Sequence, residues 1–226
     1  MKINKYIDHT LLKASTTKYD IEKLCKEARE WDFASVCILP QFVPLAKELL
    51  AGTDTKVGTV IGFPLGAVSS AIKMAETWEA LENGCDELDM VINVGALKEG
   101  RADYVYNEIF EISNIVKDRT LKVIIETGLL TDYEKIIATK IACDGGADFV
   151  KTCTGFSEGK ATPEDVMLIK SNTDMYIGVG IKASGGIRTY HDAVALIEAG
   201  ATRIGTSSGV KIMQEYKKMQ ENQNLQ

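Results

Sequence analysis

Two lysines close two short, glycine-flanked stretches: Phe149-Val150-Lys151-Thr152-Cys153-Thr154-Gly155 and Gly180-Ile181-Lys182-Ala183-Ser184-Gly185-Gly186. Each stretch reads as the exit of a buried strand. A lysine is seldom fully buried without a partner or a chemical task. Two ammonium groups at the ends of neighbouring strands repel one another, which depresses an amine pKa, and a neutral amine is a nucleophile toward carbonyl carbon. Strands that pair at roughly 4.8 Å would bring the two amines within the ~4–6 Å over which like charges act. Attack on an aldehyde would then form an iminium ion, which withdraws electrons from the adjacent carbon–carbon bond. Asp89, in Glu87-Leu88-Asp89-Met90-Val91, is a carboxylate suited to keeping the second lysine charged and to moving protons. The plain alternative is that each lysine is held by a carboxylate in a structural ion pair, which also occurs at strand ends.

A second signal points to an anion. Ser184-Gly185-Gly186 follows one lysine, and Gly205-Thr206-Ser207-Ser208-Gly209 follows the last apolar run and opens a helix. Glycine permits close backbone approach, hydroxyls add donors, and a helix N-terminus favours negative charge, so the two turns read as a phosphate cradle. The bland reading is two tight turns with a serine cap. Other residues are equally two-sided. Cys37 either faces the site or fills the core. Asp8 and Thr10 either reach the site or anchor the first turn. Glu126 either transfers protons or pairs with Lys122. His191 is expected at the surface in the first turn of a helix, and Trp31 and Trp78 in the core.

The elements that must position these groups alternate. Apolar runs at Ala34–Leu39, Lys56–Ile61, Glu87–Ile92, Leu121–Glu126, Ala147–Lys151, Tyr176–Ile181 and Thr202–Gly205, with Tyr6–Thr10 as a short first member, suit strands buried on both faces. Between them lie helical patterns such as Tyr19–Trp31, with Ile21, Leu24, Cys25 and Ala28 on one stripe. Ser69–Asn83 ends at Gly84 and His191–Ala199 at Gly200, as helix C-termini often do. Thr131-Asp132-Tyr133-Glu134 is a capping box, and Thr162-Pro163 starts a helix with proline in its first position. Eight strand–helix units in 226 residues predict a (β/α)8 TIM barrel, with an open doubly wound sheet as the rival. In a barrel the active site lies at the C-terminal strand ends, where the lysines fall, and phosphate binds after the seventh and eighth strands. If the face of the seventh strand that carries Lys182 points inward, Gly178 and Gly180 would leave room there for a ligand and for long side chains. No linker divides residues 1–226, so one domain is expected, with a polar tail from about residue 215 that finishes a helix and frays.

Composition narrows the function classes. Net charge is −6, which disfavours nucleic acid and anionic membrane surfaces as partners. No stretch is long and apolar enough to span a bilayer, and Met1-Lys2-Ile3-Asn4-Lys5 runs straight into Tyr6-Ile7-Asp8 with no apolar leader, so a cytoplasmic protein is expected. Five cysteines (Cys25, Cys37, Cys85, Cys143, Cys153) without CxxC spacing, and only two histidines, suit neither a disulfide framework nor a zinc site.

Taken together, the motifs resemble the deoxyribose-phosphate aldolase family. The likeness runs from Ile7-Asp8-His9-Thr10-Leu11-Leu12-Lys13 to Arg203-Ile204-Gly205-Thr206-Ser207-Ser208-Gly209. Between these lie Ser35-Val36-Cys37, Gly62-Phe63-Pro64-Leu65-Gly66, Lys122-Val123-Ile124-Ile125-Glu126-Thr127-Gly128 and Ile181-Lys182-Ala183-Ser184-Gly185-Gly186-Ile187-Arg188-Thr189, besides the Asp89 and Lys151 stretches. The resemblance implies a class I aldolase that needs no metal or cofactor. It would cleave 2-deoxy-D-ribose 5-phosphate reversibly to D-glyceraldehyde 3-phosphate and acetaldehyde, in deoxynucleoside breakdown. It assigns the Schiff base to Lys151. Lys182 becomes the charge that keeps Lys151 partly neutral and a member of the proton relay. Asp89 becomes proton donor and acceptor, partly through a bound water. Gly155, Gly185, Gly186, Gly205, Ser207 and Ser208 would surround the phosphate, with Thr154 near a substrate hydroxyl. Family habit also suggests a homodimer. The chain departs from the family at Cys153 (commonly serine), Ala14 (often proline), Leu39 (often asparagine) and Phe156 (lysine in some members), and it lacks a terminal tyrosine. Phe156 would leave phosphate binding to backbone amides. Two other readings remain open: a phosphosugar isomerase with Asp89 or Glu126 as base, and a catalytically silent phosphosugar-binding barrel.

Overall fold

The computed structural model describes residues 2–224, with side chains through Glu221. Among the described residues the strands are β1 (Ile7–Leu11), β2 (Ser35–Ile38), β3 (Lys56–Ile61), β4 (Glu87–Val91), β5 (Thr120–Ile124), β6 (Phe149–Lys151), β7 (Gly180–Ser184) and β8 (Arg203–Thr206). Each pairs in parallel with the next, and β1 pairs with β8, closing a barrel in sequence order. That closure decides against the open sheet. The helices are α1 (Lys18–Trp31), α2 (Val43–Leu49), α3 (Ser70–Glu82), α4 (Val94–Lys98), α5 (Ala102–Val116), α6 (Asp132–Asp144), α7 (Pro163–Thr173), α8 (Tyr190–Glu198) and α9 (Gly209–Asn224). This is a (β/α)8 TIM barrel with α4 as an extra short helix. No helix among the described residues is long and apolar enough to cross a membrane.

Local chemistry explains the helix starts. Thr17, Thr131 and Thr189 each cap a helix reciprocally with the acidic residue three positions on, and Thr162 accepts from the Asp165 amide ahead of Pro163. The main apolar core lies between sheet and helices. It takes outward-facing residues of the strands, such as Val36, Leu88, Met90, Val123, Ile181 and Ile204.

Two expectations are corrected, and a third reaches residues outside those described. The seventh strand is Gly180–Ser184, not Tyr176–Ile181. Tyr176 and Val179 donate backbone bonds to Thr173 and Tyr176, and Gly178 has φ +90°, so this apolar run is a turn with Ile177 fully exposed. Trp78 is about half exposed rather than core, because α3 buries Lys73, Thr77 and Ala80 instead. The Lys73 ammonium lies on that buried stripe, 2.6 Å from Glu108 and 2.8 Å from the Val91 carbonyl. Finally, α9 stays helical through Asn224, and the fraying expected beyond it falls on residues outside those described. Trp31 packs half-buried against the core, and His191 is exposed in the first turn of α8.

Candidate active site

The barrel interior is not apolar throughout. Residues of like parity share a strand face, and the inward positions of six strands build one buried ionic ring. It comprises Asp8 (β1), Glu87 and Asp89 (β4), Lys122 (β5), Lys151 (β6), Lys182 (β7) and Arg203 (β8). Every one of them except Arg203 has a side chain no more than 3% exposed.

Lys151 and Lys182 are register partners across β6 and β7. Both ammonium groups donate to the same oxygen, Asp89 Oδ2, at 2.7 Å each, so the two nitrogens lie no further apart than twice that distance. The expected juxtaposition of the lysines and Asp89 is therefore present. Lys182 reaches a second carboxylate, Asp8 Oδ2, at 2.6 Å. Lys122 donates to Asp89 Oδ1 at 3.0 Å and to Glu87 Oε2 at 2.7 Å. Arg203 bridges Asp8 Oδ1 and Glu87 Oε1, at 2.5 and 2.8 Å. Sequence reasoning did not place Asp8, Glu87, Lys122 and Arg203 together. Of the two readings of Glu126, the pairing with Lys122 is not formed: Lys122 is held by Glu87 and Asp89 instead.

Burial alone would push each of these groups toward its neutral form. For Asp89 that pressure is outweighed by Lys122, Lys151 and Lys182, which hold the carboxyl well below its ordinary range. Asp8 is likewise held low against burial by Lys182, Arg203 and Lys122. Lys182 resists burial because Asp8 and Asp89 stabilise its charge, so its pKa rises. Lys122 rises for the same reason through Asp89 and Glu87. Cys37 does face the ring, with Sγ 3.9 Å from Asp89 Oδ2, but burial and the Asp89 charge push its thiol up to about 11. It packs with Leu12, Val60, Leu39 and Phe63, an apolar wall on the β1–β3 side of the mouth.

Above the ring opens a cleft of about 280 Å³. Of the three lysines in the ring, Lys151 alone lines it. Thr154, Gly155, Gly185, Gly186, Gly205 and Ser207 line it too, as do Ser184, Lys13 and Arg188. Ser208 does not: its amide is bound to the Thr206 hydroxyl at 2.9 Å. Gly185 and Gly186, with φ +107° and +78°, take a turn that side chains adopt poorly. Lys13 and Arg188 are exposed cations that bring positive charge to the cleft, which Phe156 also lines. Both stand in motifs with no spacing rule to mark them, so they were not singled out from sequence. Phe156 meets Phe63 edge-on at 5.2 Å between ring centres.

Gly205 makes room for the Lys182 side chain. A Cβ there would lie 3.0 Å from Lys182 Cε and 2.8 Å from Ser184 Cβ. Gly180 makes room for a long side chain rather than a ligand: the Phe149 ring lies 2.4 Å from where its Cβ would be. Gly205→Ala is accordingly expected to cost about 1–3 kcal/mol in stability through overpacking and to lower kcat by displacing Lys182. Thermal melts and steady-state kinetics on the variant check both.

Glu126 is not a continuation of β5. It adopts a left-handed conformation (φ +56°) and its buried carboxylate collects the Thr154 amide at 3.2 Å, the Thr154 hydroxyl at 2.5 Å and the Ser157 hydroxyl at 3.0 Å. These bonds fix the loop after β6 and leave Glu126 outside the lining of the main cleft. Cys153 is fully buried, its thiol 3.3 Å from the Thr127 hydroxyl. A buried amine at a cleft, backed by a shared carboxylate and flanked by glycine turns, is suited to carbonyl chemistry on an anionic substrate.

The comparisons agree with this chemistry. Residues 2–215 match the family model of the DeoC/LacD family aldolases. A deoxyribose-phosphate aldolase of Streptococcus gordonii is 57% identical over 213 residues, which cover 94% of this chain and 96% of that protein. A crystal structure of a tetrameric deoxyribose phosphate aldolase from Aeropyrum pernix superposes with a TM-score of 0.87 at 35% identity, over 96% of this chain and 92% of that one. A second solved structure, an aldolase designated QR15, gives a TM-score of 0.91 at 41% identity, over 96% and 97%. The chain belongs to the DeoC/LacD aldolase family.

Proposed function

We propose that the chain cleaves 2-deoxy-D-ribose 5-phosphate reversibly to D-glyceraldehyde 3-phosphate and acetaldehyde, with Lys151 as the Schiff-base nucleophile. The observation that carries this reading is that Lys151 reaches the cleft while its amine sits on the Asp89 oxygen it shares with Lys182. Neutral Lys151 attacks the substrate aldehyde, and loss of water from the carbinolamine gives an iminium ion. Removal of the C3 hydroxyl proton breaks the C2–C3 bond, whose electron pair passes to the iminium and leaves an enamine. D-Glyceraldehyde 3-phosphate departs. Protonation of the enamine at C2 and addition of water then release acetaldehyde and restore the amine. Lys182 is the proton store of this relay, because its charge is held by two carboxylates, and Asp89 Oδ2 joins it to Lys151. Asp89 acts as proton donor and acceptor along that path.

Gly155, Gly185, Gly186, Gly205 and Ser207 would receive the phosphate, with Arg188 and Lys13 adding charge and Thr154 near a substrate hydroxyl. Ser208 would serve by holding the turn through its bond to Thr206. Binding of the remote phosphate positions the reacting bond. The isomerase reading is disfavoured because Asp89 is fully buried and Glu126 is occupied by Thr154 and Ser157. Residues 1–226 act in this reading as one catalytic domain, in a cytoplasmic homodimer. Incubation with acetaldehyde and borohydride, followed by peptide mapping, is expected to place a reduced ethyl group on Lys151. No adduct on any lysine, with phosphosugar binding intact, would leave a silent barrel as the better reading.

A further inference from the structure

The ionic ring holds more charge of one sign than of the other. Facing Lys151, directly or across Asp89, are Asp89 and Glu87 from β4, Lys122 from β5, Lys182 from β7, Arg203 from β8 and Asp8 from β1. From β2 comes Cys37, a neutral thiol, and from β3 the apolar Val60. Lys13 and Arg188 stand at the exposed rim of the cleft, where water screens them. The ring therefore has four cationic side chains and three carboxylates, one positive charge in excess when every group carries its ordinary charge.

The partners within it are unevenly shared. Lys182 touches Asp8 and Asp89, Lys122 touches Glu87 and Asp89, and Arg203 touches Asp8 and Glu87. Lys151 touches one carboxylate, through an oxygen that Lys182 also uses. Loss of one proton would neutralise the ring, and Lys151 is the amine with the fewest carboxylate contacts. We infer that the excess charge of the whole ring, and not Lys182 alone, keeps Lys151 available as a neutral amine, and that Lys122 is a positioning residue that supplies it. Lys122 is fully buried below the cleft and does not line it, so it acts on substrate only through this charge. The inference rests on the Schiff-base reading above.

The test is reductive trapping of acetaldehyde on Lys151 by cyanoborohydride, which delivers hydride to the iminium carbon, measured as a function of pH. Lys122→Met leaves three charges of each sign. It is expected to raise the midpoint of the trapping profile by about one pH unit or more, slowing trapping below the midpoint about tenfold. Glu87→Gln widens the excess and is expected to move the midpoint down. The double variant Lys122→Met/Glu87→Gln restores the original excess and is expected to trap with a midpoint close to that of the unmodified protein, as is Lys122→Arg. Opposite shifts that cancel in the double variant are what charge predicts and what a merely structural role for these residues would not give. A midpoint that ignores all of these substitutions, with the Lys151 adduct still forming, overturns this inference alone. Absence of the adduct from the unmodified protein at every pH overturns the Schiff-base reading itself. If Lys122→Met fails to fold, the downward shift of Glu87→Gln and its cancellation in the double variant decide the question.

Discussion

Lys151→Leu is expected to abolish cleavage, by on the order of 10⁴-fold or more, while leaving the protein folded and about as stable as before. The loss follows from access. Lys182 cannot replace the missing nucleophile, because it is fully buried and held by Asp8 and Asp89. The unchanged stability follows from charge. Removing one member of a buried ion pair is normally expensive because it strands the other. Here Asp89 keeps Lys122 and Lys182 as partners, and the ring loses the one cation it holds in excess. The melting temperature should therefore stay within a few degrees, and phosphosugar binding should survive. Cleavage within tenfold of the original rate would place the nucleophile elsewhere, and unfolding of the variant would show that Lys151 serves mainly to neutralise Asp89.

Asp89→Asn should do the opposite, destabilising the fold by about 3–5 kcal/mol as well as ending activity. The substitution barely changes volume, yet it leaves Lys122, Lys151, Lys182 and Arg203 facing only Asp8 and Glu87. Urea denaturation at neutral pH measures the cost, and a loss below about 1 kcal/mol would mean that the ring relaxes or releases protons freely. The same carboxylates set the acid limit of stability. Asp89 and Asp8 are held below their ordinary range in the folded state. Their contribution is thus complete above the unfolded carboxyl value near pH 4 and is lost as pH falls toward the folded values. Stability should drop steeply below about pH 4, and less steeply in Asp89→Asn. Lys182 has the reverse sign. Its raised folded value keeps its contribution complete below about pH 10.5, with loss only above that.

Most of the fold was legible because local rules and tertiary packing agree. Threonine caps mark the helix starts, and outward-facing Val, Ile and Leu mark most of the strands. The seventh strand was misplaced because its inward positions, Gly180, Lys182 and Ser184, carry no apolar side chain to mark it. The more apolar Tyr176–Val179 draws the eye and turns out to be a turn. The central triad of Lys151, Lys182 and Asp89 could be read because strand parity and order bring these positions together. The rest of the ring could not. Parity tells that Asp8, Glu87, Lys122 and Arg203 share faces with site residues, but not which of them meet across a closed barrel. Glu126 escaped for a different reason: a left-handed residue interrupts the alternation on which parity depends.

The salt link between Asp8 and Arg203 joins residues 195 positions apart, on the two strands that seal the barrel. During synthesis Arg203 emerges 195 residues after Asp8. Until β8 exists, β1 lacks one of its two hydrogen-bonded neighbours and Asp8 lacks its arginine partner, leaving only the lysines of β5 and β7 to neutralise it. The nascent chain must therefore keep its first strand unpaired on one side until β8 has been made.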